Sequence, residues 1–377
     1  MTGLYLHIPF CQRRCVYCDF YSTTFGAAER ERYVGALSRE LARRADEADG
    51  RRLATVYLGG GTPSQLAPDE LERLLAAVYD AYAVAPDAEV TIEANPDDLT
   101  PDYVAALAAL PVNRVSLGVQ TFDDDALRLL RRRHSGSQAT AAVERLFRAG
   151  IDNLSVDLIY GLPGQTQAQW EADLDRALAL PVAHLSAYAL IYEEGTELWR
   201  MRSRGEVDEA SDELSLALFE RLMDRTARAG FEHYEISNFA LAGHRARHNT
   251  AYWTGAPYIG CGPGAHSFDG EACRRRNLPD LRAYLDASPC VPHEVEHLTA
   301  DEQFNDLILT SLRMSDGLRL DRVEARFGRE ACAEVVRTAM PHVRAGRLRM
   351  EDGVLRLTRR GLFVSDDVMS DFMRIGD

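Results

Sequence analysis

The sequence contains no lysine. All 43 of its basic residues are arginine. Without a lysine amine no Schiff base can form, which excludes pyridoxal phosphate enzymes and lysine-dependent aldolases. The Walker A lysine is missing too, so a standard P-loop nucleotidase is excluded. No apolar run reaches 18 residues, and no membrane-crossing helix is expected. The opening residues, MTGLYLHIPF, lack the basic segment of a secretory leader. Positive charge is in deficit: 58 acidic residues against 43 basic give a net charge of −15. A chain this acidic is a poor non-specific binder of nucleic acid or anionic membrane.

What is present points to a globular metalloprotein. At about 150 residues per domain, 377 residues suggest two to three domains. Hydrophobic residues at 46% and charged residues at 27% suffice for a large core. Seven cysteines with no expected leader place the chain in the reducing cytoplasm. Clustered thiols there read as metal binding or catalysis rather than disulfides.

The first half repeats one unit: a short apolar strand, a loop, then an amphipathic helix. Strands are expected at 4–8, 55–58, 89–93, 114–118, 154–159 and 184–189. Helices are expected at 29–46, 69–82, 101–110, 123–132, 137–149 and 167–180. Six βα units in series predict an α/β fold with parallel strands, closed or partly closed into a barrel. Function in such a barrel sits at the carboxyl ends of the strands. Another helix (211–229) and a short strand (232–237) follow, and 240–290 reads as irregular. Helices near 300–313, 320–327 and 329–345, then a hairpin turning at Asp352-Gly353, predict a winged-helix-like α+β appendage. The expected divisions are 1–240, a connecting region at 241–298, and 299–377.

The strongest chemical signal is Cys11-Gln-Arg-Arg-Cys15-Val-Tyr-Cys18, just after the first strand. Three thiolates on one loop can hold three corners of a [4Fe–4S] cluster, leaving the fourth iron open. A structural zinc site wants four ligands, commonly in C-x2-C pairs. No second pair exists, because Cys261, Cys273, Cys290 and Cys332 are scattered.

C-x3-C-x2-C opening a βα repeat resembles the radical S-adenosylmethionine (SAM) superfamily. Gly59-Gly60-Gly61-Thr62-Pro63-Ser64, ending the second strand, resembles that superfamily's glycine motif. Tyr5-Leu6-His7-Ile8-Pro9-Phe10-Cys11, Gly118-Val119-Gln120-Thr121-Phe122 and the run Asp157 to Thr166 resemble the oxygen-independent coproporphyrinogen III oxidase family over nearly the whole chain. The implied fold is a partial, TIM-like (β/α)6 radical SAM barrel. Within the family, the dehydrogenases carry a further cysteine two residues after the third, and a longer N-terminal segment. Here that position is Phe20, and ten residues precede Cys11. Both departures, and His248-Asn249-Thr250-Ala251-Tyr252-Trp253, resemble the family's haem chaperone group.

The resemblance implies site residues. Cys11, Cys15 and Cys18 would hold the cluster. Tyr5, Gly60, Gly61, Thr62, Glu93, Gln120, Arg132 and Asp157 would contact SAM, Glu93 by accepting from ribose hydroxyls. His248 would ligate haem iron, with Tyr252 and Trp253 against the macrocycle and Arg245 and Arg247 at its propionates. His7, His134, His244 and His266 are rival ligands. The implied cofactors and cargo are a [4Fe–4S] cluster, SAM and haem.

Two functions stay open. One is a haem chaperone that delivers haem to acceptor proteins, with a membrane-bound acceptor and a homodimer left open. The other is anaerobic oxidative decarboxylation of coproporphyrinogen III. DNA is not an expected partner: 299–377 hold 13 arginines against 14 acids, despite the winged-helix pattern.

Overall fold

The structure is a computed structural model describing residues 2–287 and 290–375. Positions 1, 288, 289, 376 and 377, which include the outer limits of the expected first and last divisions, lie outside the described residues.

Six strands form a parallel array in chain order: β1 (Thr2–Ile8), β2 (Arg52–Gly60), β3 (Ala83–Ala94), β4 (Arg114–Gln120), β5 (Leu154–Tyr160) and β6 (His184–Ala189). Helices such as Ala27–Arg44, Pro68–Ala81 and Gly136–Arg148 make the crossovers. Alternation on β1 shows how the residues sort. Leu4, Leu6 and Ile8 are fully buried in the apolar core, while Tyr5 and His7, one pleat away, meet Tyr57 and Gly59 across the ladder.

The array is open, as the partial barrel requires. Among the described residues β1 and β6 do not pair with each other. The free edge of β6 takes β8 (Asn238–Ala240), which pairs with β7 (Glu232–Glu235), so the single strand expected at 232–237 is a tight antiparallel pair. The free edge of β1 takes β9 (Tyr258–Cys261) in parallel. Beyond it lie β10 (His266–Phe268), β11 (Cys273–Asn277) and β12 (His293–His297), giving twelve strands among the described residues.

Two expectations need correction. The stretch 241–298 is not an irregular connection; it contributes those four strands and the helix Arg247–Thr254. Its strands are short, and β11 and β12 are charged; they extend an existing edge, which local patterning does not reveal. The helix expected at 123–132 ends at Leu129. Arg131 then adopts a left-handed φ of 57°, and the chain reverses before Arg132.

The C-terminal part has its own core around Phe304, Ile308, Leu318, Val323 and Leu355. It contains Ala300–Arg313, Leu320–Arg344 with a break at Gly328, and the antiparallel strands β13 (Leu318–Arg319), β14 (Leu348–Glu351) and β15 (Val354–Leu357). Three helical segments with a hairpin match the expected α+β appendage. Among the described residues no helix is long and apolar enough to cross a membrane.

Candidate functional site

A cavity of about 450 Å³ opens at the carboxyl ends of β1–β6. Its wall contains Cys11, Cys15 and Cys18, then Gly60, Gly61, Thr62, Glu93, Gln120, Arg132 and Asp157. Residues up to 146 positions apart thus meet at one rim.

The cysteine loop is held by its own backbone and by apolar packing. Cys11 N–H donates to the Thr23 carbonyl at 2.8 Å, and Thr23 N–H returns to Pro9 at 2.6 Å. Val16, between the second and third cysteines, is buried with Leu130, Ile159 and Leu198. Its carbonyl accepts from Leu198 N–H at 2.8 Å. Among the described residues no three His, Cys, Asp or Glu side chains gather round a single-ion site. The three thiols line the cavity. Burial lifts the Cys18 thiol to about 11.

The glycine loop is shaped by close approach. Gly60 has φ +112°, and a Cβ there would lie 2.7 Å from the His7 ring. At Gly61 a Cβ would lie 2.9 Å from the Phe10 carbonyl. Gly60 N–H donates to Glu93 Oε2 at 3.2 Å, and Tyr57 Oη donates to Oε1 at 2.7 Å. Burial outweighs these bonds and lifts the Glu93 carboxyl to about 7. Asp157, raised by burial too, accepts from Ser116 Oγ at 3.2 Å.

Gln120 closes β4 in the left-handed region with φ 70°, where the ladder to β5 slips its register. A non-glycine residue held there marks a site that its surroundings over-determine. Arg132 reaches across the same end. Its Nη2 donates to Asn95 Oδ1 at 2.6 Å and also to the Gly118 carbonyl, while Nη1 lies 3.4 Å from Cys15 Sγ. A Cβ on Gly118 would lie 3.3 Å from that guanidinium.

Two expected residues lie outside this cavity. Tyr5 stacks on Tyr57 at 6.1 Å and donates or accepts at His7 Nδ1, 3.1 Å away. It lines a second cavity instead. His248 is buried at the amino ends of β1 and β2, beside Gly3 and Thr55. Its Nδ1 bonds Thr55 Oγ1 at 2.7 Å, its Nε2 bonds Tyr252 Oη at 2.8 Å, and its ring stacks on Tyr57 at 5.0 Å. Both nitrogens are engaged, and the ring lines neither cavity. In this geometry His248 is a packing and hydrogen-bonding residue at the barrel floor. Arg245 and Arg247 also have other work. Arg245 pairs with Glu232 and, at 3.1 Å, with Asp316, and Arg247 pairs with Asp87 at 3.6 Å.

Sequence reasoning missed Asn95 and Tyr57. Asn95 follows the end of β3 and so carried the signal of rim position. Tyr57 lies in an apolar strand, and nothing local distinguishes it from a core tyrosine.

A description of the Radical SAM superfamily matches residues 5–177, and one of the HemN C-terminal domain matches 298–364. "Heme chaperone HemW" of Mycobacterium tuberculosis H37Rv is 38% identical over 97% of this chain and 93% of that protein. The chain belongs to the HemW family. Other members are similar over three quarters or more of each chain. The Bacillus subtilis HemW is 32% identical over 99% of both chains, and that of Escherichia coli K12 is 37% identical over 75% of each. Family membership also places the chain among radical SAM proteins, with the open barrel seen here. The solved structure titled "Coproporphyrinogen III oxidase (HemN) from Escherichia coli is a Radical SAM enzyme" superposes with a TM-score of 0.85 at 23% identity. It covers 98% of this chain and 89% of its own, and so shares the fold.

Proposed function

We propose that this chain is a haem chaperone that carries a [4Fe–4S] cluster on Cys11, Cys15 and Cys18 and binds SAM beside it. The carrying observation is that three thiols, a glycine loop and two half-buried carboxylates line one cavity at the strand ends. The residues fit the two groups. Gly60 and Gly61 line the cavity, and a Cβ on either would press on the His7 ring or the Phe10 carbonyl and displace the loop. Three thiols on one loop can hold three separate corners of a cluster. When bound, a cluster with three protein thiolates supplies an iron able to chelate the amino and carboxylate groups of SAM.

This chain's residues would hold the rest of that ligand. Ionised Glu93 accepts from the ribose hydroxyls, its position fixed by Tyr57 and Gly60. Arg132 spans the gap between the cysteine loop and Asn95, with its guanidinium 3.4 Å from Cys15 Sγ and 2.6 Å from Asn95 Oδ1. Gln120 and Asp157 complete the rim. Haem as cargo, and delivery to acceptor proteins, follow from the names borne by the relatives and from Phe20 at the position of the dehydrogenases' extra cysteine. A membrane protein is among the fitting acceptors.

The test is anaerobic reconstitution followed by two measurements on one preparation: haem titration by absorbance, and assay for coproporphyrinogen III decarboxylation. Stoichiometric haem uptake without turnover is expected. Robust conversion to protoporphyrinogen would overturn the chaperone reading in favour of the enzyme.

A further inference from the structure

A second cavity, of about 640 Å³, lies between strands β1, β9 and β10 of the large sheet and the C-terminal helices. That volume falls within the roughly 300–1,000 Å³ typical of small-molecule sites. Phe20, 64% exposed, lines both this cavity and the cysteine cavity, so the two are neighbours across the loop that follows Cys18. Nothing assigned above to the cluster or to SAM uses this space, apart from the flank of Tyr5.

Its chemistry is distinctive. Aromatic faces come from Tyr252, Tyr258 and Phe268. Tyr252 packs edge-on to Tyr258 at 4.6 Å, and Tyr258 lies 6.4 Å from Phe268. Two histidines line it. His7 has both nitrogens engaged, with Tyr5 Oη at 3.1 Å and the Tyr21 carbonyl at 2.9 Å. His266 differs: it is exposed on β10, and among the described residues neither of its ring nitrogens is hydrogen-bonded. Its backbone is fixed by the tight approach of β9, where a Cβ on Gly260 would overlap the His266 carbonyl.

Two arginines border the cavity from the helix Leu320–Arg344. Arg322 donates to the Thr254 carbonyl at 3.2 Å, and Arg326 donates to the Glu271 carbonyl and Gln303 Oε1, each at 3.0 Å. Among the described residues neither has a carboxylate partner. In contrast, Arg274, also on the wall, is committed to Asp306 at 2.5 Å. A cavity with aromatic walls, one imidazole that makes no hydrogen bond and two arginines without carboxylate partners among the described residues matches a macrocycle with a central iron and two carboxylates.

We propose that this second cavity is the haem site, with His266 as the axial ligand and Arg322 and Arg326 as the propionate anchors. This rests on the chaperone reading and gives it a location distinct from the SAM cavity. It also reassigns the Tyr252-Trp253 end of the His248 motif to cavity wall, while His248 itself braces the helix from below.

The test is titration of the reconstituted chain with ferric haem, read by the Soret band, alongside iron and SAM binding. His266→Ala should shift the Soret band and weaken binding at least tenfold, whereas His248→Ala should leave the band in place. Arg322→Gln/Arg326→Gln should lose roughly ten- to a hundredfold in haem affinity but little toward haem dimethyl ester. Thr310→Trp, filling the slot from the C-terminal side, should abolish uptake while cluster iron and SAM affinity persist. If the wild-type chain takes up no haem, the chaperone reading itself falls. If it takes up haem and both His266→Ala and Thr310→Trp leave spectrum and affinity unchanged, the site is elsewhere and only this inference is overturned.

Discussion

Arg132 Nη1 lies 3.4 Å from Cys15 Sγ. The two residues are 117 positions apart, and the contact ties the cluster loop to the end of β4. The same guanidinium holds Asn95 at 2.6 Å, so one side chain sets the spacing of three strand ends. Arg132→Met should keep cluster iron, because the three thiols remain. It should weaken SAM binding by about ten- to a hundredfold, the worth of a charge-assisted hydrogen bond. Iron analysis and calorimetry on the same sample separate the two effects.

The thiols themselves can be tested by removal. The Cys11→Ser/Cys15→Ser/Cys18→Ser variant should retain no cluster, since the other four cysteines are scattered through the fold. The wild type should hold about four irons and four sulfides per chain. Full iron content in the triple variant would place the cluster on other residues.

Gly60→Val should be costly for two separate reasons. At φ +112° a branched residue is strained, by about 1–3 kcal/mol, and its Cβ would press on the His7 ring. We expect a lower melting temperature and lost SAM affinity with iron content preserved. Retained SAM affinity would remove this loop from the cofactor site.

Glu93 makes a prediction in pH. Its carboxyl is lifted from the ordinary 4.5 to about 7, chiefly by burial. Between those values the folded chain keeps a proton that the unfolded chain has released, so stability falls as pH rises from 4.5 to 7 and the cost is complete above 7. Glu93→Gln carries no such cost. In cofactor-free protein, the variant's melting temperature should gain on the wild type across that window and stay level beyond it. Parallel curves from pH 4.5 to 8.5 would contradict this account.

For His248 the prediction concerns stability rather than haem. His248→Ala leaves Thr55 Oγ1 and Tyr252 Oη without their partner, and should destabilise by about 1–3 kcal/mol. Burial, with Arg114 nearby, lowers the imidazole to about 3. The unfolded chain therefore takes up a proton below the ordinary 6.5 that the folded chain refuses, and stability is lost as pH falls from 6.5 toward 3. The variant should show a shallower acid loss in denaturant titrations. An unchanged slope would mean that His248 is charged in the fold.

Much of the molecule is legible locally. The absence of lysine closes whole classes of chemistry whatever the fold. The alternation of short apolar strands with amphipathic helices specifies parallel β1–β6, because each unit's pattern is contained within a few tens of residues. Cys11, Cys15 and Cys18 share one loop by their spacing alone. Gly60, Glu93 and Asp157 fall at strand ends, which is enough to bring them to one rim once the barrel forms.

Only the tertiary structure decided the rest, since it depends on contacts distant in sequence. The charged runs Cys273–Asn277 and His293–His297 carry too little apolar alternation to read as strands, and they pair on the edge that β9 and β10 extend beyond β1. Arg132 reaches the site only because the chain reverses at Arg131. The motif around His248 named a histidine without its environment. Thr55, 193 residues away, and the stacked ring of Tyr57 make it a buried, neutral brace, while among the described residues neither ring nitrogen of His266, in a stretch without evident pattern, is hydrogen-bonded. Burial and hydrogen-bond partners separate these two side chains, and both are properties of the packed fold.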